Sequence, residues 1–291
     1  MISSATLVDI VLNSLVLAGV FLIVATGLNI IYGLSRVMNL AHGSFYAIGA
    51  YIGYTLALLG VPFYLTLIMA PLGVAILGLV IERVLITPIR KRPIVFTLIL
   101  TYGLMFCLDG LIRYLWGSEV KFMALPSILT KTVGILGSHY PVYRLFVLFS
   151  VALILIALML LLEKTKFGAV LRAASYIPEM VSCLGINMSI VYLSAFLLGC
   201  IMAGLAGVLS APLYNLDPIM GHQMLISSFV VIVIGGLGSL KGSVIAALLI
   251  GLVQTLAEFF ITDLAMVIVY LLMAVVLTFV PRGILGEGRF E

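Results

Sequence analysis

Charge is scarce in this sequence. Only 9% of its 291 residues are Asp, Glu, Lys or Arg, where an ordinary soluble domain carries about a quarter. Cysteine is scarcer still, with three in all, and there is one tryptophan. Three scattered cysteines exclude a disulfide framework, and Cys107 and Cys200 fall inside apolar runs, so nothing suggests a metal centre. In so apolar a chain a net charge of +4 reports loop orientation rather than nucleic-acid binding. The complete phosphate-binding motifs are missing too. Gly235 to Gly242 reads GGLGSLKG, but Lys241 follows Leu240 and precedes Gly242, so the Walker A pattern fails. The dinucleotide pattern fails as well, because Lys241 stands where glycine is required. The segment reads as a tight turn between helices.

What the chain has in abundance is apolar surface. Hydrophobic residues make up 64% and mean hydropathy is +1.35. No soluble core of this size could bury so much. Helical membrane spans need about 20 apolar residues, and the pattern predicts nine, over 8–33, 40–59, 63–86, 94–115, 142–162, 189–213, 223–237, 243–261 and 264–280. The expected fold is an all-α polytopic membrane protein of 8–9 spans, forming one permease domain over 1–291. The seventh span is short and reads as a broken or re-entrant element. The first is no cleaved signal peptide, since it lacks a basic start and is too long.

Lys and Arg set the orientation. With the N-terminus outside and the C-terminus inside, eleven of the 15 basic residues fall on the inner side, Arg36, Arg90, Lys91, Arg92, Arg172 and Arg289 among them. Arg113, Lys121, Lys131 and Arg144 fall outside, as the positive-inside rule requires. Residues 116–141 become a large outer loop. Asp109 and Arg113, four residues apart, read as a local salt bridge near the outer end of the fourth span. No acid is placed at a midplane, which weighs against an ion-driven carrier.

Two features point beyond the spans. A faint repeat links Gly27-Leu28, Asn39-Leu40 and Gly43 with Gly204-Leu205, Asn215-Leu216 and Gly221. The copies run in opposite directions, as in inverted-repeat transporters, where the solute path lies at the repeat interface. The second feature is the polar segment Glu163 to Asn187, with Glu163, Lys164, Lys166, Arg172 and Glu179. Helical spacing before and after Pro178 predicts two short amphipathic helices on the inner surface. Spacing alone leaves open a docking element for a soluble partner and a partner-free surface loop. His42, at the predicted inner start of the second span, fits either a gate or a packing role.

Four stretches, MNLAHGSFYAIGAY (Met38 to Tyr51), LRAA followed after ten residues by GIN (Leu171 to Asn187), FVVIVIGGLGSLKGS (Phe229 to Ser243) and VPRGILG (Val280 to Gly286), together resemble the LivH-type permeases of bacterial branched-chain amino acid ABC importers. That resemblance implies an inner-membrane subunit with no enzymatic activity and no cofactor. It implies a related second permease, two cytoplasmic ATP-binding subunits and a periplasmic substrate-binding protein as partners, within membrane lipid. Arg172, Ala173, Ala174 and Gly185 take the places of the family's E-A-A coupling element and its downstream glycine, with Glu179 and Leu184 between. Pro178-Glu179 departs from the usual run there. Candidate path residues are Asn39, His42, Gly43 and Ser44 from the first repeat copy and Asn215, Gly221 and Phe229 from the second. Relatives with such motifs import urea, amides or aromatic acids as well. A self-sufficient secondary transporter is the rival of a different class.

Overall fold

The computed structural model describes residues 4–36 and 38–286; Arg289, assigned above to the inner side, lies outside them. In lipid every backbone polar group must be satisfied within the chain, so long apolar runs become helices. The order is α1 (Ser4–Ser35), α2 (His42–Leu58), α3 (Phe63–Ile81), a π-helical segment (Glu82–Ile86), α4 (Thr87–Ile89), α5 (Ile94–Trp116), β1 (Thr132–Ile135), β2 (Ser138–Pro141), α6 (Val142–Lys164), α7 (Lys166–Tyr176), α8 (Pro178–Cys183), α9 (Met188–Ser210), α10 (Met220–Gly235), α11 (Leu240–Phe260), a 3-10 turn (Thr262–Leu264) and α12 (Ala265–Phe279). Seven helices among the described residues are long and apolar enough to cross a membrane. The other two expected spans are α2 and α10, with 17 and 16 residues. One departure from the all-α expectation is the antiparallel hairpin β1–β2 in the outer loop.

The bundle has two ends. At one lie the 116–141 loop and the hairpin, tied to the start of α1 by hydrogen bonds from Ser138 Oγ to Asp9 Oδ1 and from Tyr140 Oη to Asn13 Oδ1 (2.9 Å). At the other lie α7, α8 and the α10–α11 turn. Arg36, Arg90, Arg172, Lys241 and Arg282 stand at this second end, and Arg113, Lys121, Lys131 and Arg144 at the first, the segregation expected of inner and outer faces.

The packing is an inverted repeat. α1 lies along α11 as α9 lies along α3; α2 lies on α9 as α10 lies on α1; α2 meets α3 as α10 meets α11. The axis of this pairing is the α1–α9 crossing, where small residues let two backbones touch. A β-carbon on Gly27 would stand 3.0 Å from the Gly199 carbonyl oxygen, and Gly199 is the central residue of α9. The repeat seen faintly in the sequence is therefore a physical one.

Two resemblance motifs form one joint at the inner end. The tail after α12 donates from Ile284 N to Ile234 O (2.8 Å) and from Leu285 N to Gly235 O (3.1 Å). Asn29, buried in α1, fastens the same turn. Its side chain donates to Ser239 O (3.1 Å) and Ser243 Oγ (3.0 Å), and accepts from Gly238 N (2.7 Å). The GGLGSLKG stretch is thus occupied with structural bonds to its own chain.

Candidate functional site

Both short helices start inside the bundle. His42 opens α2, yet its Nε2 lies 3.2 Å from Val24 O, and a β-carbon on Gly27 would lie 3.2 Å from that same Nε2. Because Gly27 meets the centre of α9, α2 begins near mid-depth. This corrects the expected full span over 40–59 and the expected inner-side position of Asn39 to Ser44. Chain 38–41 leads into the bundle before the helix starts, where Asn39 Oδ1 accepts from Ala41 N (3.1 Å) and stands in for a helical turn. α10 mirrors this from the outer side. Chain 211–219 descends past Tyr51, whose hydroxyl donates to Leu216 O (3.2 Å), and α10 begins at Met220. The seventh span is therefore broken rather than re-entrant: non-helical over 211–219, helical over Met220–Gly235, and reaching the inner end.

The two helix starts meet at Gly43 and Gly221, in backbone contact. The next residue of each faces Asp109 on α5. Ser44 Oγ donates to Asp109 Oδ1 (3.2 Å), and His222 Nε2 pairs with Asp109 Oδ2. Asp109 is 5% exposed, four residues outward from the centre of α5. The expected Asp109–Arg113 bridge does not form. A carboxylate inside a bundle needs nearby donors, and helix starts with their partial positive charge supply them better than a neighbour turned toward the outer end. A buried acid therefore does lie near the middle of a span, contrary to the expectation that none would.

The remaining path candidates are dispersed. Asn39 Nδ2 has no partner and lies on an inner cavity of about 60 Å³ lined also by Glu82, Arg90, Thr97, Thr101 and Tyr192. Glu82, fully buried in the π segment, is held by Arg90 and by Thr87 Oγ1 (3.0 Å), and the Arg90 guanidinium lies 4.4 Å over the Tyr192 ring. His42 is completely buried and its Nδ1 is unpartnered. Asn215 is exposed at the outer end. Phe229 lies about two turns along α10 from the crossing, against the core. An outer cavity of about 360 Å³ is lined by Asp9, Asn13, Arg144, Tyr214, Thr255 and Glu258.

The polar segment forms α7 and α8 with the break at Ile177, before Pro178, as predicted. Thr165 caps α7 by accepting from Gly168 N (3.1 Å). Leu171, Ala174 and Val181 face the bundle. Arg172, Ala173, Glu179, Leu184 and Gly185 face outward, with Met180 (62% exposed) and Leu184 (75%) standing clear of the surface. Ala174 is therefore a packing residue, although the motif groups it with Ala173. Gly185 ends α8 at φ +80°, a conformation that favours glycine. His222 is the residue missed in the sequence, and Asp109 was assigned the wrong partner. The clue was the repeat itself, since the positions after Gly43 and Gly221 correspond.

This chain is similar to known proteins over nearly all of its length. The high-affinity branched-chain amino acid transport system permease protein LivH of Escherichia coli is 29% identical over 96% of this chain and 95% of its own length. LivM of the same organism, described likewise as a permease protein of that system, is 28% identical over 93% of this chain and 68% of its own. The solved structure of PsaBC from Streptococcus pneumoniae in complex with Fab covers 92% of this chain and 89% of that one with a TM-score of 0.51 at 15% identity, which shows a shared fold. Residues 10–277 match the family model described as branched-chain amino acid transport system / permease component. A bundle of apolar helices arranged as an inverted repeat, matched to that model over most of its length, belongs to the branched-chain amino acid transport system permease family, as a multi-pass membrane transport component.

Proposed function

We propose that this chain is the membrane-spanning subunit of an ABC importer in the bacterial inner membrane, translocating branched-chain amino acids by alternating access. The observation that carries the reading is the α7–α8 pair. It caps the inner end, rests on the bundle through Leu171, Ala174 and Val181, and leaves Ala173, Met180 and Leu184 uncovered. Exposed apolar side chains on a short helix pair suit docking into a groove of a soluble protein. Two cytoplasmic ATP-binding subunits push on this pair, and the repeat halves rock about the α1–α9 crossing. A second related permease completes the path, a role supported by the likeness of this chain to both LivH and LivM. A periplasmic binding protein delivers the solute. Catalysis belongs to the ATP-binding partners.

The experiment is uptake of labelled leucine into liposomes. The chain with its ATP-binding subunits, second permease and binding protein transports leucine only with ATP. A second reading is a proton- or sodium-driven carrier, favoured by Asp109 near mid-depth, where such carriers place acids. Uptake by the isolated chain under a pH or sodium gradient would establish that one instead.

A further inference from the structure

The Asp109 carboxyl group is seated in a site built by other elements. Ser44 and His222 are each the third residue of their helix, α2 and α10, and follow the glycines that cross. One donates a hydroxyl and the other an imidazole nitrogen, to the two different oxygens of one carboxylate. Both helix starts point their partial positive charge at the same place. Half-helix starts near mid-depth are where inverted-repeat transporters hold anionic solute groups. The carboxylate now in that position arrives on the helix with few ties to the rest. α5 packs mainly on α2 and the π segment. Much of its surface, including Ile99, Tyr102, Phe106 and Leu111, is uncovered. The His222 side chain is 31% exposed, and its ring meets the edge of Phe106 at 6.1 Å, so the site opens toward that face.

We infer that Ser44 and His222 form a carboxylate-binding site, which Asp109 fills in this arrangement and which the carboxylate of the transported solute takes when α5 moves away. An internal carboxylate keeps the donors paired while the path is empty, when unpaired groups in lipid are costly. The apolar tail of an amphipathic solute then extends out through the opening beside the partly exposed His222 side chain, on the side that α5 vacates. This inference rests on the transport reading above, and it specifies which end of the solute the crossing reads.

The test is chemical rescue in the full complex. Asp109→Ala empties the site, and thermal unfolding is followed with two fragments of leucine. 4-Methylpentanoate keeps the carboxylate and tail; 3-methylbutylamine keeps the ammonium and tail. The variant melts several degrees below the parent complex. 4-Methylpentanoate restores most of that loss saturably, the amine restores none, and the parent complex responds to neither. Asp109→Asn, which fills the space with an amide, is not rescued. Adding His222→Gln to Asp109→Ala abolishes the rescue. If Asp109→Ala yields no folded complex, the fragments are supplied during expression, and only the carboxylate recovers monodisperse protein. Equal rescue by the amine, rescue that survives His222→Gln, or no rescue at all overturns the site. These outcomes are separate from those of the uptake assay. Leucine uptake without rescue removes the site and leaves the transport reading standing; rescue without leucine uptake does the reverse.

Discussion

Gly43 and Gly221 touch backbone to backbone. A β-carbon on Gly43 would stand 2.0 Å from the Gly221 carbonyl oxygen, and one on Gly221 would stand 2.6 Å from that of Gly43. Neither distance can be tolerated, and the obstacle in each case is main chain, which cannot rotate aside. The crossing that brings Ser44 and His222 to one carboxylate therefore depends on two absent side chains.

Alanine at either position forces the helix starts apart. Gly43→Ala and Gly221→Ala should each cost about 1–3 kcal/mol, as overpacking does, and should abolish uptake. Gly33→Ala, where a β-carbon meets nothing within 4 Å, should leave stability and uptake near the parent values. Thermal unfolding in detergent and uptake in liposomes check both.

The Glu82–Arg90 pair closes the inner end of α3. Glu82 is completely buried while Arg90 keeps some access to water. Breaking a buried pair from one side costs about 3–5 kcal/mol, and partial solvation of Arg90 places Glu82→Ala toward the lower end. Arg90→Met alone strands the more deeply buried carboxylate and should be worse. The double variant Glu82→Met with Arg90→Met should recover part of the loss, because no charge is left stranded. Melting temperatures of the four proteins check the order.

Orientation has a built-in reporter. Cys183 is exposed at the last position of α8, while Cys200 is buried. With Cys107 and Cys200 replaced by alanine, Cys183 should resist an impermeant thiol reagent in intact cells and react after permeabilisation. Ser127→Cys on the outer loop, with Cys183 also replaced, should react in intact cells. Labelling of Cys183 from outside would invert the orientation drawn from the basic residues.

Helix positions were legible because apolar length alone decides them in lipid. The hinge before Pro178 was legible because proline restricts the residue ahead of it. Depth was not. Asn39-Leu40-Ala41-His42 looks like the edge of a span, and hydropathy carries no sign that the edge lies against Val24. Asp109 was misread because its partners are 65 and 113 residues away in sequence, whereas spacing shows only the neighbour four residues on. Ala173 and Ala174 are indistinguishable by residue type, and only packing turns one outward and the other into the bundle.

The central claim is that energy enters through α7–α8 from a separate ATPase. Ala173 is exposed there and Gly185 has open space around it, so Ala173→Asp should leave the fold intact while placing an unpaired charge in the docking contact. Gly185→Val strains a positive-φ turn by about 1–2 kcal/mol and reshapes the end of the same surface. The decisive measurement is co-purification of the ATP-binding subunits with each variant in detergent, with Lys131→Glu on the outer loop as the control. The account predicts that both α7–α8 variants lose the ATP-binding subunits and ATP-driven uptake, while the control retains them. Full retention of the subunits and undiminished uptake in both variants would contradict it.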